Sequence, residues 1–177
     1  ICVNGCWVQH AWHFLGDSGV RIVTVAGFPL GAADPDSKRY EAETALDSGA
    51  HEIDMVMNLG RFMDGDRKFV LREMRDVLEA AEDRCVKVIL ETGFFSNSEI
   101  REACELACEA GAHFVKTSSG FGPGGATVEH VRLMRETVGQ RAGVKAAGGI
   151  RDNATARAMI EAGATRLGAS ASVAIVG

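Results

Sequence analysis

Asp54, Lys116 and Lys145 are three ionisable residues that stand near the ends of short β-branched runs, without an obvious structural task. Lys116 lies in Phe114-Val115-Lys116-Thr117-Ser118, and Lys145 in Gly143-Val144-Lys145-Ala146. A lysine inside an apolar or small-residue strand is costly unless it is paired or functional. A free lysine amine titrates near about 10.4, so it is almost wholly protonated at neutral pH, yet attack on a carbonyl needs the neutral form. Desolvation and a second nearby cation both favour that form. Two lysines on successive strands provide the arrangement, one as nucleophile and the other as electrostatic neighbour. Asp54 could then hold or move protons, directly or through water. The bland reading has the lysines snorkelling to water and Asp54 in an ion pair with one of them. It is compatible with the chemical one.

A second set of residues suits phosphate. Ser119-Gly120-Phe121-Gly122-Pro123-Gly124-Gly125-Ala126-Thr127 is a glycine-rich loop. Ala147-Gly148-Gly149-Ile150 follows the next strand, and Gly168-Ala169-Ser170-Ala171-Ser172 the last, with a short apolar helix behind it. Barrel enzymes commonly build a phosphate site from their last two strand-helix loops and a short helix N-terminus. These loops together are therefore a candidate phosphate site. Any one glycine loop could instead merely close a turn.

The elements that must hold these residues alternate along the whole chain. Strand candidates are 1–3, 20–28, 52–57, 86–91, 114–118, 143–146 and 166–169. Helical patterns run near 7–16, 35–48, 66–83, 97–110, 127–138 and 152–162. Pro35 is a good first-turn residue, and Ser96 with Glu99 three residues later forms a capping box. Strict strand-helix alternation argues for parallel βαβ units.

A weak internal repeat sharpens the picture. Ser48-Gly49-Ala50-His51, Ala110-Gly111-Ala112-His113 and Ala162-Gly163-Ala164-Thr165 each place a glycine able to adopt a left-handed cap just before a strand. Counting five residues on from each glycine reaches Asp54, Lys116 and Gly168, predicting one shared phase and height. Seven strands are visible and a closed barrel needs eight. The expectation is a single domain over 1–177 of the α/β class, a (β/α)8 TIM barrel whose first strand and helix are missing before Ile1. A doubly wound open sheet would tolerate seven strands, but its first turn, Asn4-Gly5-Cys6, lacks the G-x-G-x-x-G of a nucleotide site.

Bulk properties exclude other classes. The 177 residues are 46% hydrophobic and 24% charged, as expected of a soluble globular protein, but 21 are glycine, about 12% against a usual share of roughly 7%. A net charge of −5 leaves no footprint for nucleic acid. No apolar run approaches a membrane span. Five cysteines, an odd count without zinc-site spacing, suit reduced thiols in a cytoplasm and argue against a metal.

Together these segments resemble the deoxyribose-phosphate aldolase family. The likeness rests on Glu52-Ile53-Asp54-Met55-Val56-Met57-Asn58, on Phe114 to Gly122 with Gly124 to Thr127, and on Val144-Lys145-Ala146-Ala147-Gly148-Gly149-Ile150-Arg151. Cys2-Val3-Asn4, Thr24 to Gly31 and Arg166 to Ser170 fit the same pattern, in order, over essentially the whole chain. The resemblance implies a class I aldolase that reversibly cleaves 2-deoxy-D-ribose 5-phosphate to glyceraldehyde 3-phosphate and acetaldehyde, with no cofactor or metal. By position it makes Lys116 the Schiff-base lysine, Lys145 the lysine that favours its neutral form, and Asp54 the proton-transfer carboxylate. Gly148, Gly149 and Ser170 match phosphate-contacting positions. Ala171 departs from the family, where a second serine is frequent, and the family's first strand and helix have no counterpart. Partners are thus a small phosphorylated sugar and acetaldehyde, with self-association left open. Two alternatives remain at this point: another Schiff-base or phosphate-sugar barrel enzyme, and a truncated barrel that binds phosphorylated ligands without turnover.

Overall fold

A computed structural model describes all residues from Ile1 to Gly177. The chain divides into two compact units, one of residues 1–88 with 110–112, the other of residues 89–109 with 113–177.

The first unit carries strands β1 (Cys2–Val3), β2 (Val23–Ala26), β3 (Glu52–Val56) and β4 (Cys85–Ile89, all but its last residue). Helices α1 (Val8–Leu15), α2 (Pro35–Asp47), α3 (Leu59–Met63) and α4 (Arg67–Ala80) lie between them. Its strands follow chain order in the sheet, and β1, β2 and β3 pair in parallel, with Val3 opposite Thr24 and Val25 opposite Asp54. All five residues of β3 are buried, as expected of a strand covered on both faces. Strand β2 is shorter than its hydrophobic run predicts. The Ile22 N–H is taken by His51 Nδ1 at 2.9 Å, and Gly27 turns the chain out of the strand with φ +62°. Helix α2 starts as its sequence predicts, with Pro35 in the first turn and Asp34 accepting the Asp36 N–H at 3.0 Å. Helix α3 was not expected. The Asn58 side chain caps it by accepting the Arg61 N–H at 3.0 Å.

An ion pair without solvent contact ties these helices to β3. Lys38 Nζ of α2 meets Glu73 of α4 at 2.8 Å, both side chains fully buried. Lys38 also donates to the Val56 carbonyl at 2.9 Å, and Glu73 accepts the Asn58 N–H. Burial lowers the Lys38 pKa and raises that of Glu73. Desolvation therefore opposes both charges, and their mutual attraction only partly offsets it. The stem of Lys38 fills the space above Gly27, where a Cβ would lie 2.6 Å from Lys38 Cε.

The second unit carries α5 (Asn97–Ala110), β5 (Phe114–Lys116), α6 (Val128–Val138), β6 (Gly143–Ala147), α7 (Asn153–Glu161), β7 (Arg166–Gly168) and α8 (Ser172–Val176). Strands β5, β6 and β7 pair in parallel. The capping box at α5 forms as expected. Ser96 N–H donates to Glu99 Oε2 at 2.8 Å, and Glu99 N–H to Ser96 Oγ at 3.4 Å. Gly143 opens β6 because the Phe114 ring occupies the place of a side chain: a Cβ there would lie 2.3 Å from the ring. Arg135 fastens the turns before β6 and β7 by donating to the carbonyls of Gly139, Ala142 and Gly163 at 2.6, 3.0 and 3.0 Å.

The repeated glycines behave as the sequence predicts. Gly49, Gly111 and Gly163 have φ of +105°, +95° and +110°. No helix is long and apolar enough to cross a membrane.

Candidate active site

Within the second unit, Lys116 ends β5 and Lys145 is the central residue of β6. The ladder makes them direct partners, Lys116 opposite Lys145. Neighbouring strands lie about 4.8 Å apart, so two lysine side chains leave adjacent backbones on the same face. Each residue is only 5% exposed. Side chains so little exposed do not snorkel to open solvent.

Thr117 holds this register. Its hydroxyl donates to the Ala147 carbonyl at 2.9 Å and accepts the Ala147 N–H at 3.0 Å. The Thr117 N–H donates to the Lys145 carbonyl at 3.1 Å, and the Lys116 carbonyl accepts the Leu90 N–H at 2.9 Å.

Strand β7 refines the predicted alignment. Lys145 faces Arg166, and Ala147 faces Gly168. Gly168 therefore shares the phase of both lysines but stands two residues farther along. A stagger of this kind accompanies a sheet that curls toward a barrel. A Cβ at Gly168 would lie 3.2 Å from Lys145 Cε, so the glycine leaves room for the lysine stem.

The candidate phosphate residues lie just beyond. Gly148 and Gly149 both have left-handed φ, +90° and +79°. Gly125 of the preceding loop packs on Gly148 so closely that a Cβ would lie 2.4 Å from the Gly148 oxygen, and Ala126 N–H donates to that oxygen at 3.0 Å. Ser170 is exposed in the turn before α8. The α8 helix has only five residues and no side-chain cap.

Asp54 belongs to the first unit, and there the structure supplies a partner absent from the sequence reading. Lys87 of β4 lies between Asp54 Oδ1 at 2.8 Å and Glu52 Oε2 at 2.6 Å. Lys87 and Asp54 are fully buried, and Glu52 nearly so. Burial, the largest single influence, pulls the Lys87 pKa down. Asp54 and Glu52 together outweigh it, so the pKa stands above the usual lysine value. The bland reading of Asp54 as one half of an ion pair named Lys116 or Lys145 as the cation; Lys87 is a further one. Lys87, flanked by Val86 and Val88, carries the same signal that singled out Lys116. The two carboxylates sit i, i+2 on β3, on one strand face.

A sheet built from parallel βαβ units, with buried lysines on neighbouring strands, defines an α/β aldolase-type protein, and known proteins bear this out. The profile of the DeoC/LacD family aldolases matches residues 11–176. Deoxyribose-phosphate aldolase 1 of Bacillus licheniformis is 54% identical over 99% of this chain and 79% of its own length. The deoxyribose-phosphate aldolase of Exiguobacterium sibiricum is 55% identical over 99% of this chain and 80% of its own. Among solved structures, the aldolase QR15 superposes with a TM-score of 0.95 at 42% identity, covering 98% of this chain and 78% of that one. The tetrameric deoxyribose phosphate aldolase of Aeropyrum pernix gives 0.92 at 31%, covering 99% and 74%. This chain belongs to the DeoC/LacD aldolase family, and its fold is of the α/β TIM-barrel type, seven strands of which it carries.

Proposed function

We propose that this chain is a class I aldolase acting on 2-deoxy-D-ribose 5-phosphate, with Lys116 as the Schiff-base residue. The register pair of buried lysines, Lys116 opposite Lys145, is the observation that carries the reading. Relatives above 50% identity named deoxyribose-phosphate aldolase support the substrate. The family profile spans residues of both units, which supports treating 1–177 as one catalytic domain.

In this reading the neutral Lys116 amine adds to the C1 aldehyde of the open-chain sugar, and uptake of one proton with loss of water leaves an iminium ion. The C3 hydroxyl gives up its proton and the C2–C3 bond breaks. Its electron pair moves onto the iminium, releasing glyceraldehyde 3-phosphate and leaving an enamine. A proton returns to C2, and water hydrolyses the new iminium to acetaldehyde and free Lys116. Lys145, opposite Lys116 in the ladder, is the neighbouring lysine at the reacting amine. Asp54 serves as the proton-transfer carboxylate, a role supported by its full burial and its fixed partner Lys87. The backbone of Gly148 and Gly149, with Ser170, receives the phosphate.

Assembly with further copies of the chain is part of the proposal and is supported by the tetrameric Aeropyrum relative. A reducing cytoplasm suits its five cysteines, none of which is in a disulfide.

Borohydride reduction in the presence of acetaldehyde tests the assignment. An adduct of acetaldehyde mass is expected on the peptide containing Lys116, and none in Lys116→Ala. Equal labelling of that variant would remove Lys116 from the mechanism. Release of acetaldehyde from 2-deoxyribose 5-phosphate separates this activity from other Schiff-base chemistry.

A further inference from the structure

Glu91, just past the end of β4, breaks two local rules at once. Its backbone is left-handed, φ +55° and ψ +58°, a conformation that non-glycine residues rarely adopt. Its side chain is buried, the residue being 1% exposed, and its Oε1 has no hydrogen-bond partner. Violations of this kind persist where the surroundings enforce them, and they gather at functional sites.

The surroundings of Glu91 do enforce them. The N–H groups on either side are engaged by β5 and its extension: Leu90 donates to the Lys116 carbonyl and Thr92 to the Thr117 carbonyl, both at 2.9 Å. The left-handed residue between these bonds brings its carboxylate to the glycine-rich loop. Glu91 Oε2 accepts the Ser119 N–H at 3.1 Å. Gly122 packs against the same carboxylate, where a Cβ would stand 2.6 Å from Glu91 Cδ. Two residues on, Gly93 meets Gly124, and a Cβ at Gly93 would lie 3.0 Å from the Gly124 nitrogen. One flank of the loop is thus moulded on Glu91 to Gly93.

Its other flank rests on Gly148. The Ala126 N–H donates to the Gly148 oxygen at 3.0 Å, with Gly125 pressed against the same peptide. In a trans peptide the carbonyl and the following N–H point in opposite directions. Fixing the Gly148 oxygen toward Ala126 therefore aims the Gly149 N–H away from the loop, at the place proposed for phosphate.

We propose that Glu91 is a positioning residue for phosphate recognition: its carboxylate sets the 119–126 loop, and the loop orients the Gly148-Gly149 peptide. The proposal rests on the phosphate role assigned above to Gly148 and Gly149. Glu91 touches no substrate in this account. Its influence falls on the phosphorylated end of the sugar and leaves the amine chemistry of Lys116 aside.

The test compares kcat/KM for 2-deoxyribose 5-phosphate and for unphosphorylated 2-deoxyribose in the parent, Glu91→Ala, Glu91→Gln and Gly122→Ala. Misplacing a binding group by about 1 Å costs up to roughly a hundredfold. The preference for the phosphorylated sugar is accordingly expected to fall at least about tenfold in Glu91→Ala and in Gly122→Ala. Glutamine retains a carbonyl acceptor for the Ser119 N–H, so Glu91→Gln keeps the preference within about threefold of the parent. Equal losses on both substrates would reduce Glu91 to a merely structural residue and overturn the proposal. If Glu91→Ala does not fold, the Gly122→Ala and Glu91→Gln pair decides on the same criteria. Titration of each protein with inorganic phosphate, followed by phosphorus NMR, is independent of turnover. Tenfold weaker binding in Glu91→Ala supports the proposal even if the parent releases no acetaldehyde, whereas unchanged or absent binding throughout refutes it.

Discussion

Replacing Lys87 by methionine probes a buried cluster of three charges. The substitution roughly preserves the length of the aliphatic stem and removes the ammonium between Asp54 and Glu52, which now lies 2.8 and 2.6 Å from their oxygens. Both carboxylates would lose the ammonium that now lies between them, Asp54 with no solvent contact. Removing one partner of a buried pair costs about 3–5 kcal/mol. For a chain of this size that corresponds to a fall in Tm of roughly 6–20 °C. The pH dependence follows from the same geometry. In the variant, burial and mutual repulsion raise the carboxyl pKa values above their unfolded ones, so the folded state takes up protons more readily than the unfolded state. The defect should therefore be largest at pH 7–8 and shrink toward pH 5, as protonation relieves it. Urea unfolding of parent and variant between pH 5 and 8 measures the difference. A cost below about 1 kcal/mol, unchanged across that range, would refute the view that Lys87 neutralises both carboxylates. Adding Glu52→Gln should recover part of the loss, a coupling expected of residues in direct contact.

Lys38→Met should also destabilise the protein by about 3–5 kcal/mol in urea unfolding, because Glu73 is left buried without its cation. Lys38→Met with Glu73→Leu should be milder than Lys38→Met alone, since burial already opposes both charges. At the start of α7, Asp152 accepts the Thr155 N–H at 2.8 Å, and this bond holds its carboxyl below the usual value of 3.8. A depressed carboxyl stabilises the fold above its unfolded pKa and loses that contribution as pH falls through the folded one. The urea midpoint of Asp152→Ala should therefore lie below that of the parent at pH 7, with the gap closing below pH 3.8.

Much of the fold was readable from punctuation. Gly49, Gly111 and Gly163 announced three helix ends, and Ser96 with Glu99 announced a helix start, because these are local backbone requirements. Helix α3 escaped because only the Asn58 cap signals it, in a segment too short to show periodicity. For the site, the glycine repeat put Asp54, Lys116 and Gly168 in one phase, and the register through β6 agrees for Lys116 and Gly168. The two-residue offset of Gly168 was invisible, since stagger arises between strands and leaves no mark within any one of them. Lys87 was missed although it satisfies the rule that found Lys116. Its partners lie more than thirty residues earlier, and only the fold brings them within reach. Glu91 was hidden for a different reason: its left-handed backbone is imposed by bonds from its neighbours to Lys116 and Thr117, not by its own side chain.

The Thr117 hydroxyl, bonded to both the N–H and the carbonyl of Ala147, works as a rivet between β5 and β6. Because Lys116 precedes the rivet by one residue and Lys145 lies two before its far end, backbone geometry sets the two lysine Cα atoms opposite each other. On the proposed mechanism, the 119–126 loop, held between Glu91 and Gly148, can then be altered without moving the β5–β6 register. Strand register and loop are separately adjustable parts of the scaffold, which makes this chain suited to redesign.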